Sequence, residues 1–154
     1  MPLRVQASAA GYIQRVTALP SASVLVRTWF GNDSAWESLV LDVEAPNDEG
    51  FLANVVPVND RAFEGLNAQG LKAQQPGGAI VSFIADEMTF TNGERPILAV
   101  WVLPRQAGDE RPEQLPFRVV VSELPSVENN INLANMDWED FTQAVGEDAI
   151  FRGF

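Results

Sequence analysis

Three short apolar segments constrain the fold of this chain more than any other feature. They read VLVRTWF at 24–30, AIVSFIA at 79–85 and ILAVWVL at 97–103. Each is rich in β-branched or aromatic residues and lies next to turn-forming residues, which is typical of β-strands. Two further strands are predicted at 51–58 and 117–121, and Pro57 favours the edge of a sheet for the first of them. The sequence therefore predicts five strands.

Helical segments lie between these strands. Ser34 and Glu37 form the S-x-x-E pattern of a capping box, and the apolar residues after it recur at helical spacing until Pro46. A second, shorter helix is predicted to begin at Asn59-Asp60 and to run through Leu66 toward Gln75. Asn92-Gly93 predicts a hairpin turn that leads into the strand at 97–103. Two short helices are predicted to close the chain.

The resulting order of elements is β-α-β-α-β-β-β-α-α. Strands that first alternate with helices and later form hairpins are typical of a mixed sheet with helices packed on it. We therefore expect an α/β or α+β fold built on a mixed five-stranded sheet. A chain of 154 residues fits one domain, which we place at residues 21–154. Residues 1–20 are expected to form an N-terminal arm or a loosely attached first strand.

The residue types that are missing exclude several classes of chemistry. The chain has no histidine and no cysteine, which excludes thiol nucleophiles, Ser–His–Asp triads and the common zinc and haem sites. Lys72 is the single lysine and lies in a polar segment, unlike the desolvated lysines of Schiff-base enzymes. We therefore expect neither a metal nor a cofactor.

The net charge of −11 limits the partners. It repels nucleic-acid backbones, so the sequence predicts no binding to DNA or RNA. No apolar run approaches the roughly 18 residues of a membrane span, and the N-terminus lacks the apolar core of a secretory signal. We therefore expect no membrane association, a cytoplasmic location, and a protein or a small molecule as the partner.

Polar pairs follow each of the first three predicted strands: Asn32-Asp33, Asn59-Asp60 and Asp86-Glu87. If these strands are parallel, the pairs meet at the edge where open α/β sheets bind ligands and where carboxylates can hold magnesium. Helix N-caps also favour Asp and Asn just after a strand. We interpret the first two pairs as caps. Because no helix clearly follows Asp86-Glu87, that pair stays a candidate site.

The C-terminal segment from Glu123 is acidic and rich in amides. It has seven acidic residues and one base, Arg152, which gives a net charge of −6. On a helix, Glu128, Asn132 and Asn135 fall within one narrow wedge. One carboxylate and two amides suit hydrogen bonding with an amide, a sugar or an arginine. The alternative is that these residues cap and shape a corner between two helices.

Arg27 and Trp29 lie on one face of the first apolar strand, because side chains alternate along a strand. An arginine in such a strand needs a partner, since a buried unpaired charge is costly. The sequence leaves two alternatives open. The partner is either a carboxylate such as Asp86 or an anionic ligand.

The chain resembles a single-domain family, domain of unknown function 6924. The matching residues are LVRTWF at 25–30 with Trp36 behind it, SVENN at 126–130, ANMDWEDF at 134–141 and FRGF at 151–154. The resemblance covers nearly all of the chain except the arm. It implies one domain, and it brings no activity, cofactor or catalytic residue with it.

Two functions follow from these observations. The first is a non-catalytic binding or interaction module that uses the acidic, amide-rich C-terminal face. The second is a cofactor-independent enzyme, such as an isomerase, cyclase or lyase, acting on a small molecule. In that enzyme Arg27 would hold an anion, Trp29 or Trp101 would form a pocket wall, and the acid or base would be one of three carboxylates: Asp86, Glu87 or Glu128.

Overall fold

The computed structural model describes residues 3–7 and 13–154. Strands β1 (Leu3–Ala7) and β2 (Ile13–Thr17) pair antiparallel and form a sheet of their own. Both fall in the segment expected to be an arm at residues 1–20. Residues 1–2 and 8–12 of that segment lie outside the described residues.

The main sheet has six strands in the order β4-β3-β5-β6-β7-β8. β3 is parallel to β4 and β5, β6 is antiparallel to β5 and β7, and β8 is parallel to β7. The predicted mixed sheet is confirmed, in an α+β arrangement, with one strand more than the five expected. Pro57 lies in β4 at the edge of the sheet, where its missing N–H costs nothing. The strands are β3 (Val24–Arg27), β4 (Val56–Val58), β5 (Val81–Ala85), β6 (Ile97–Trp101), β7 (Phe117–Val119) and β8 (Ile150–Phe151).

Helices cover both faces of this sheet. α1, α4 and α5 pack on one face, where their apolar residues join those of Leu25, Phe83 and Phe117 in a single core. α2 and a 3-10 turn at Arg61–Phe63 cover the other face, where Leu71 and Phe63 pack on Val24 and Val26. The described helices are α1 (Asp33–Glu44), α2 (Ala68–Gln74), α3 (Glu87–Thr91), α4 (Leu124–Asn132) and α5 (Trp138–Thr142), with a second 3-10 turn at Val121–Glu123.

The first helices begin at different residues from those predicted. The N-cap of α1 is Asn32, whose side chain accepts a hydrogen bond from the backbone N–H of Ala35 at 3.0 Å. Ser34 is therefore inside the helix and not its cap. The helix expected from Asn59 to Gln75 is two elements, a 3-10 turn capped by Asp60 and α2 capped by Asn67.

The prediction of a hairpin turn at Asn92-Gly93 is wrong. β5 and β6 are antiparallel neighbours, but α3 joins them. Asp86 and Thr89 form a capping box, in which each side chain accepts a hydrogen bond from the other's backbone N–H at 3.3 and 3.1 Å. The Thr89 hydroxyl also donates to the carbonyl of Pro96 at 2.8 Å. This box starts a helix where the Asn-Gly dipeptide suggested a turn.

Candidate functional site

The carboxyl ends of β3, β4 and β5 meet at one edge of the sheet, because these three strands are parallel. Arg27 ends β3, and its side chain is only 3% exposed. It donates to Asp33 Oδ1 at 2.8 Å, to the carbonyl of Trp29 at 3.0 Å and to Asn59 Oδ1 at 3.3 Å. The carboxylate partner of Arg27 is therefore Asp33 and not the expected Asp86. Arg27, Asp33 and Asn59 line a pocket of about 310 Å³, which we call the Arg27 pocket.

Trp29, Asp86 and Glu87 lie in a different cavity of about 330 Å³. The Trp29 ring stacks on Phe90 with 5.8 Å between ring centroids. Arg27 and Trp29 therefore line different cavities, although the strand pattern placed them on one face.

Asp86 has a partner that the sequence did not indicate. Both of its oxygens accept hydrogen bonds from Arg118, at 2.8 Å each. Burial acts to raise the pKa of the Asp86 carboxyl, but the Arg118 guanidinium and the two bonds from Thr89 outweigh it, so that this pKa lies below its ordinary value. A carboxyl with a lowered pKa is a poor proton donor near neutral pH. Asp86 is also the N-cap of α3.

Trp101 and Trp29 lie at opposite ends of the sheet, since Trp29 follows the end of β3. Trp101 pairs with Val81, the first residue of β5, so it belongs to the edge opposite Arg27. Its ring meets Trp138 edge-on at 5.6 Å. It also lines a cavity of about 660 Å³ beside the polar loop at 104–116. The structure therefore does not bring the two tryptophans into one pocket.

Glu128 and Asn132 fasten α4 to the sheet. Glu128 is 4% exposed and accepts hydrogen bonds from the backbone N–H of Asn54 at 2.6 Å and from Asn132 at 2.8 Å. Asn132 donates to Ser23 Oγ at 2.7 Å and accepts from the backbone N–H groups of Ile80 and Val81. The polar groups of both side chains are thus used inside the protein.

Asn135 differs from these two residues. It follows α4, is exposed, and its side chain makes no hydrogen bond with the part of the chain that is described. It lines a groove of about 630 Å³, which we call the C-terminal groove. Its lining comes from the loop after α1 (Asn47, Glu49, Phe51), from α4 and its flanks (Glu123, Pro125, Ser126, Asn129, Asn130, Leu133, Asn135) and from the C-terminus (Arg152, Gly153, Phe154).

Hydrogen-bond acceptors dominate the C-terminal groove. Glu49 and Glu123 form no ion pair with any described residue, and burial together with the charge of Glu49 raises the pKa of the Glu123 carboxyl. Asn129 and Asn130 use their amide N–H groups on internal acceptors and keep their side-chain oxygens free of described donors. Arg152 is the single base in the lining, and it is held by Glu94 and Asp148 at 2.7–2.8 Å.

Large apolar side chains stand exposed along this groove. Phe51 is 56% exposed, Leu133 is 69% exposed and Phe154 is 75% exposed. The groove therefore joins unpaired carboxylates to apolar surface. Asn47 holds the loop after α1 against the 3-10 turn that precedes α4, by donating to the carbonyl of Ser122 at 3.2 Å, 75 residues away. No local pattern in the sequence reveals that long-range contact, so Glu49 and Phe51 were missed.

The pairs interpreted as caps have structural roles. Asn32 caps α1, Asp60 caps the 3-10 turn, and Asp33 pairs with Arg27. Within residues 3–7 and 13–154, no group of three acidic side chains is arranged to hold a metal ion. In the same residues no helix has the length and apolar character needed to cross a membrane.

Comparison with known proteins identifies the family of the chain but no curated relative. No curated protein matches the chain. The model of a family described as a domain of unknown function matches residues 22–154, which is the whole chain after the N-terminal segment. The resemblance seen in the sequence is confirmed: the chain belongs to the family of domain of unknown function 6924 (DUF6924).

Proposed function

We propose that the protein is a non-catalytic interaction module whose C-terminal groove binds a basic, partly apolar peptide segment of a partner protein. One observation carries the proposal. The groove presents two carboxylates, Glu49 and Glu123, that form no ion pair within the described chain, and they lie beside exposed apolar side chains. Arg152, the one base in its lining, is held by two other acids.

The charge of the groove selects the sign of the occupant. Desolvation by the surrounding protein and repulsion by Glu49 both disfavour the charged form of Glu123. A lysine or arginine placed between the two carboxylates would remove that repulsion and satisfy both groups. An acidic segment would increase the repulsion, which gives the groove specificity as well as affinity.

The exposed apolar side chains supply the second contact. Phe51, Leu133 and Phe154 leave apolar area in water, and covering it with a partner's side chain is favourable. Aromatic anchors beside a desolvated charge pair are typical of residues that dominate binding energy. A segment with one basic and one apolar side chain therefore matches the groove in both respects.

The residues named for the enzyme alternative are not gathered in one pocket, which supports the interaction module over the enzyme. Asp86 is held by Arg118, Glu128 is buried in a network, and Trp29 and Trp101 line separate cavities. Glu87 is exposed at the start of α3, and the cavity that it lines with Trp29 has no arginine in its described lining. The cytoplasmic location and the lack of nucleic-acid binding stay predictions from the sequence.

Fluorescence polarisation with synthetic peptides tests the proposal. The probes are labelled eight-residue peptides with one Lys or Arg beside Phe, Leu or Trp, and matched peptides with Glu in place of the base. We expect binding by the basic set alone, weakened at least tenfold in the double variant Glu49→Gln with Glu123→Gln. Glu110→Gln is the control, because Glu110 is exposed on the polar loop outside the groove.

Two outcomes contradict the proposal. One is equal binding of the basic and acidic peptides, which would remove the role of the carboxylates. The other is a double variant that binds as tightly as the unchanged protein. Circular dichroism of each variant shows that a loss of binding is not a loss of fold.

A further inference from the structure

The Arg27 pocket lies apart from the C-terminal groove. It is formed at the beginning of α1, whereas Asn47, Glu49 and Phe51 of the groove follow the end of that helix. α1 has 12 residues, and at 1.5 Å per residue it separates the two by about 18 Å. The Arg27 pocket and the C-terminal groove are therefore separate surfaces.

The pocket occupies a particular place in the sheet topology. β3 and β4 are parallel neighbours, and the chain leaves β3 toward α1 on one face but leaves β4 toward α2 on the other. Open α/β sheets bind ligands in a crevice at the carboxyl ends of their parallel strands. Arg27 at the end of β3 and Asn59 just after β4 line that crevice.

Arg27 brings a buried and incompletely used guanidinium to the crevice. A guanidinium has five N–H donors, and three hydrogen bonds of Arg27 to described residues account for three of them. Its one carboxylate partner, Asp33, has a side chain that is 80% exposed. A buried cation held by one solvated carboxylate is poorly compensated, so a second anion would stabilise it.

Arg61 supplies a second guanidinium at the same place. Both Arg27 and Arg61 lie beside the ring of Phe30, at 4.4 and 4.9 Å from its centroid. Arg61 pairs with Glu64 at 3.4 Å, and the Arg61 side chain is 69% exposed. Two forked donors in one small pocket match the oxygens of a carboxylate.

Acidic groups line the pocket as well. Asp33 and Glu37 lie four residues apart on α1, on the same side of the helix. Glu37 forms no ion pair with the described part of the chain. Phe30 and Trp36 add flat apolar walls. A volume of about 310 Å³ lies at the low end for small-molecule sites, which span roughly 300–1,000 Å³.

We propose that the Arg27 pocket binds a small zwitterion of the amino-acid type. Its carboxylate meets the free donors of Arg27 and the guanidinium of Arg61, and its ammonium group meets Asp33 and Glu37. A doubly charged anion satisfies the two arginines but faces both carboxylates, so a molecule with one charge of each sign fits the lining better.

Ligand-observed NMR tests this proposal on the full chain, by saturation transfer to the protons of each organic probe and by ³¹P line broadening for phosphate. The probes are the twenty free proteinogenic amino acids, with acetate, inorganic phosphate and ethylamine as carriers of a single kind of charge. We expect at least one amino acid to bind with a millimolar or lower Kd, at least tenfold more tightly than any of the three single-charge probes. Phosphate binding as tightly as the best amino acid, or no binding by any amino acid, overturns the proposal.

Two exposed substitutions assign the binding to this pocket. Arg61→Gln and Glu37→Gln leave the buried Arg27 in place, and each should weaken the best amino acid at least tenfold. Glu123→Gln in the C-terminal groove is the matched control and should leave that affinity unchanged. Full affinity in both pocket variants overturns the assignment, whatever the outcome of the peptide experiment on the groove.

Discussion

At the scale of single residues, the ionisable side chains fall into two groups. Arg27, Asp86 and Glu128 have internal partners and hold elements together. Glu49 and Glu123 have no ionic partner in the described chain and line a groove. The sequence contained both groups as acids and bases of the same types. It did not separate them, because Asp86 and Glu128 have partners that lie 32 and 74 positions away, at Arg118 and Asn54.

The ion pair of Asp86 with Arg118 should be visible as a pH-dependent contribution to stability. We expect Asp86→Asn to lower the free energy of unfolding by about 2 kcal/mol at pH 7, since two charge-assisted bonds are lost. Asn is itself a good N-cap, so α3 keeps its cap and the loss reports the ion pair. Urea unfolding of both proteins measures the difference.

The direction of the pH effect follows from the lowered pKa of Asp86. The unfolded chain binds the proton more tightly than the folded protein, so the contribution is present above the ordinary pKa of 3.8. It is lost as the pH falls through the lowered value in the folded state. The difference between the two proteins should therefore shrink below about pH 4. A difference that is the same at pH 7 and pH 3 would contradict the ion pair.

Glu123 should show the opposite dependence, because its pKa is raised in the folded protein. Proton binding to Glu123 stabilises the fold at low pH, and this stabilisation is lost as the pH rises from the ordinary pKa of 4.5 through the raised value. We expect Glu123→Gln to increase stability slightly at pH 7, by less than about 1 kcal/mol. Thermal unfolding should show no gain at pH 4, and a loss of stability at pH 7 would disagree with this account.

At the scale of elements, α4 is held to the sheet by polar contacts as well as by its apolar side. Val127 and Ile131 enter the core. Asn132 reaches Ser23, 109 positions earlier, and the start of β5. The wedge of polar residues on this helix was identified from helical spacing, but spacing alone does not tell whether such a wedge faces water or another element.

Asn132→Ala should destabilise the protein strongly. The change removes four hydrogen bonds and leaves the backbone N–H groups of Ile80 and Val81 without the acceptor they share. We expect a loss of about 3 kcal/mol. Asn135→Ala is the matched control, because its exposed side chain bonds to no described residue, and it should change stability by less than about 0.5 kcal/mol. Chemical denaturation that gives equal losses for the two would rule out the anchoring role.

The elements that the sequence missed have physical reasons. β8 has two residues, Ile150–Phe151, which is too short for an alternating pattern to appear. α3 has five residues and depends on a capping box whose first member was classed as a site residue. The longer elements were found because their apolar periodicity extends over several turns or residue pairs.

β8 nevertheless contributes to the core through Phe151. This side chain is fully buried and meets Phe141 edge-on at 5.1 Å. Phe151→Ala should lower the free energy of unfolding by about 3–5 kcal/mol. Phe154→Ala, three residues later and 75% exposed, should cost less than about 1 kcal/mol. If thermal unfolding ranks the two in the reverse order, the last strand is not part of the core.

At the scale of the whole molecule, the fold carries two different surfaces at the two ends of α1. The Arg27 pocket lies at the carboxyl ends of the parallel strands β3 and β4. The C-terminal groove lies where the loop after α1 meets α4 and the C-terminus. The mixed sheet and its helices followed from the sequence. The two surfaces did not, because the Arg27 pocket is assembled from two separate segments of the chain and the C-terminal groove from three.

Chemical-shift mapping of ¹⁵N-labelled protein with one basic, aromatic eight-residue peptide tests directly whether the C-terminal groove binds such a segment. We expect saturable shifts of the backbone amides of Glu49, Asn129, Leu133 and Phe154 at low salt, and weaker binding as the ionic strength rises. The amides around Arg27 should stay unchanged. Shifts that map elsewhere, or the absence of any shift at millimolar peptide, would contradict the assignment of the C-terminal groove as the binding surface.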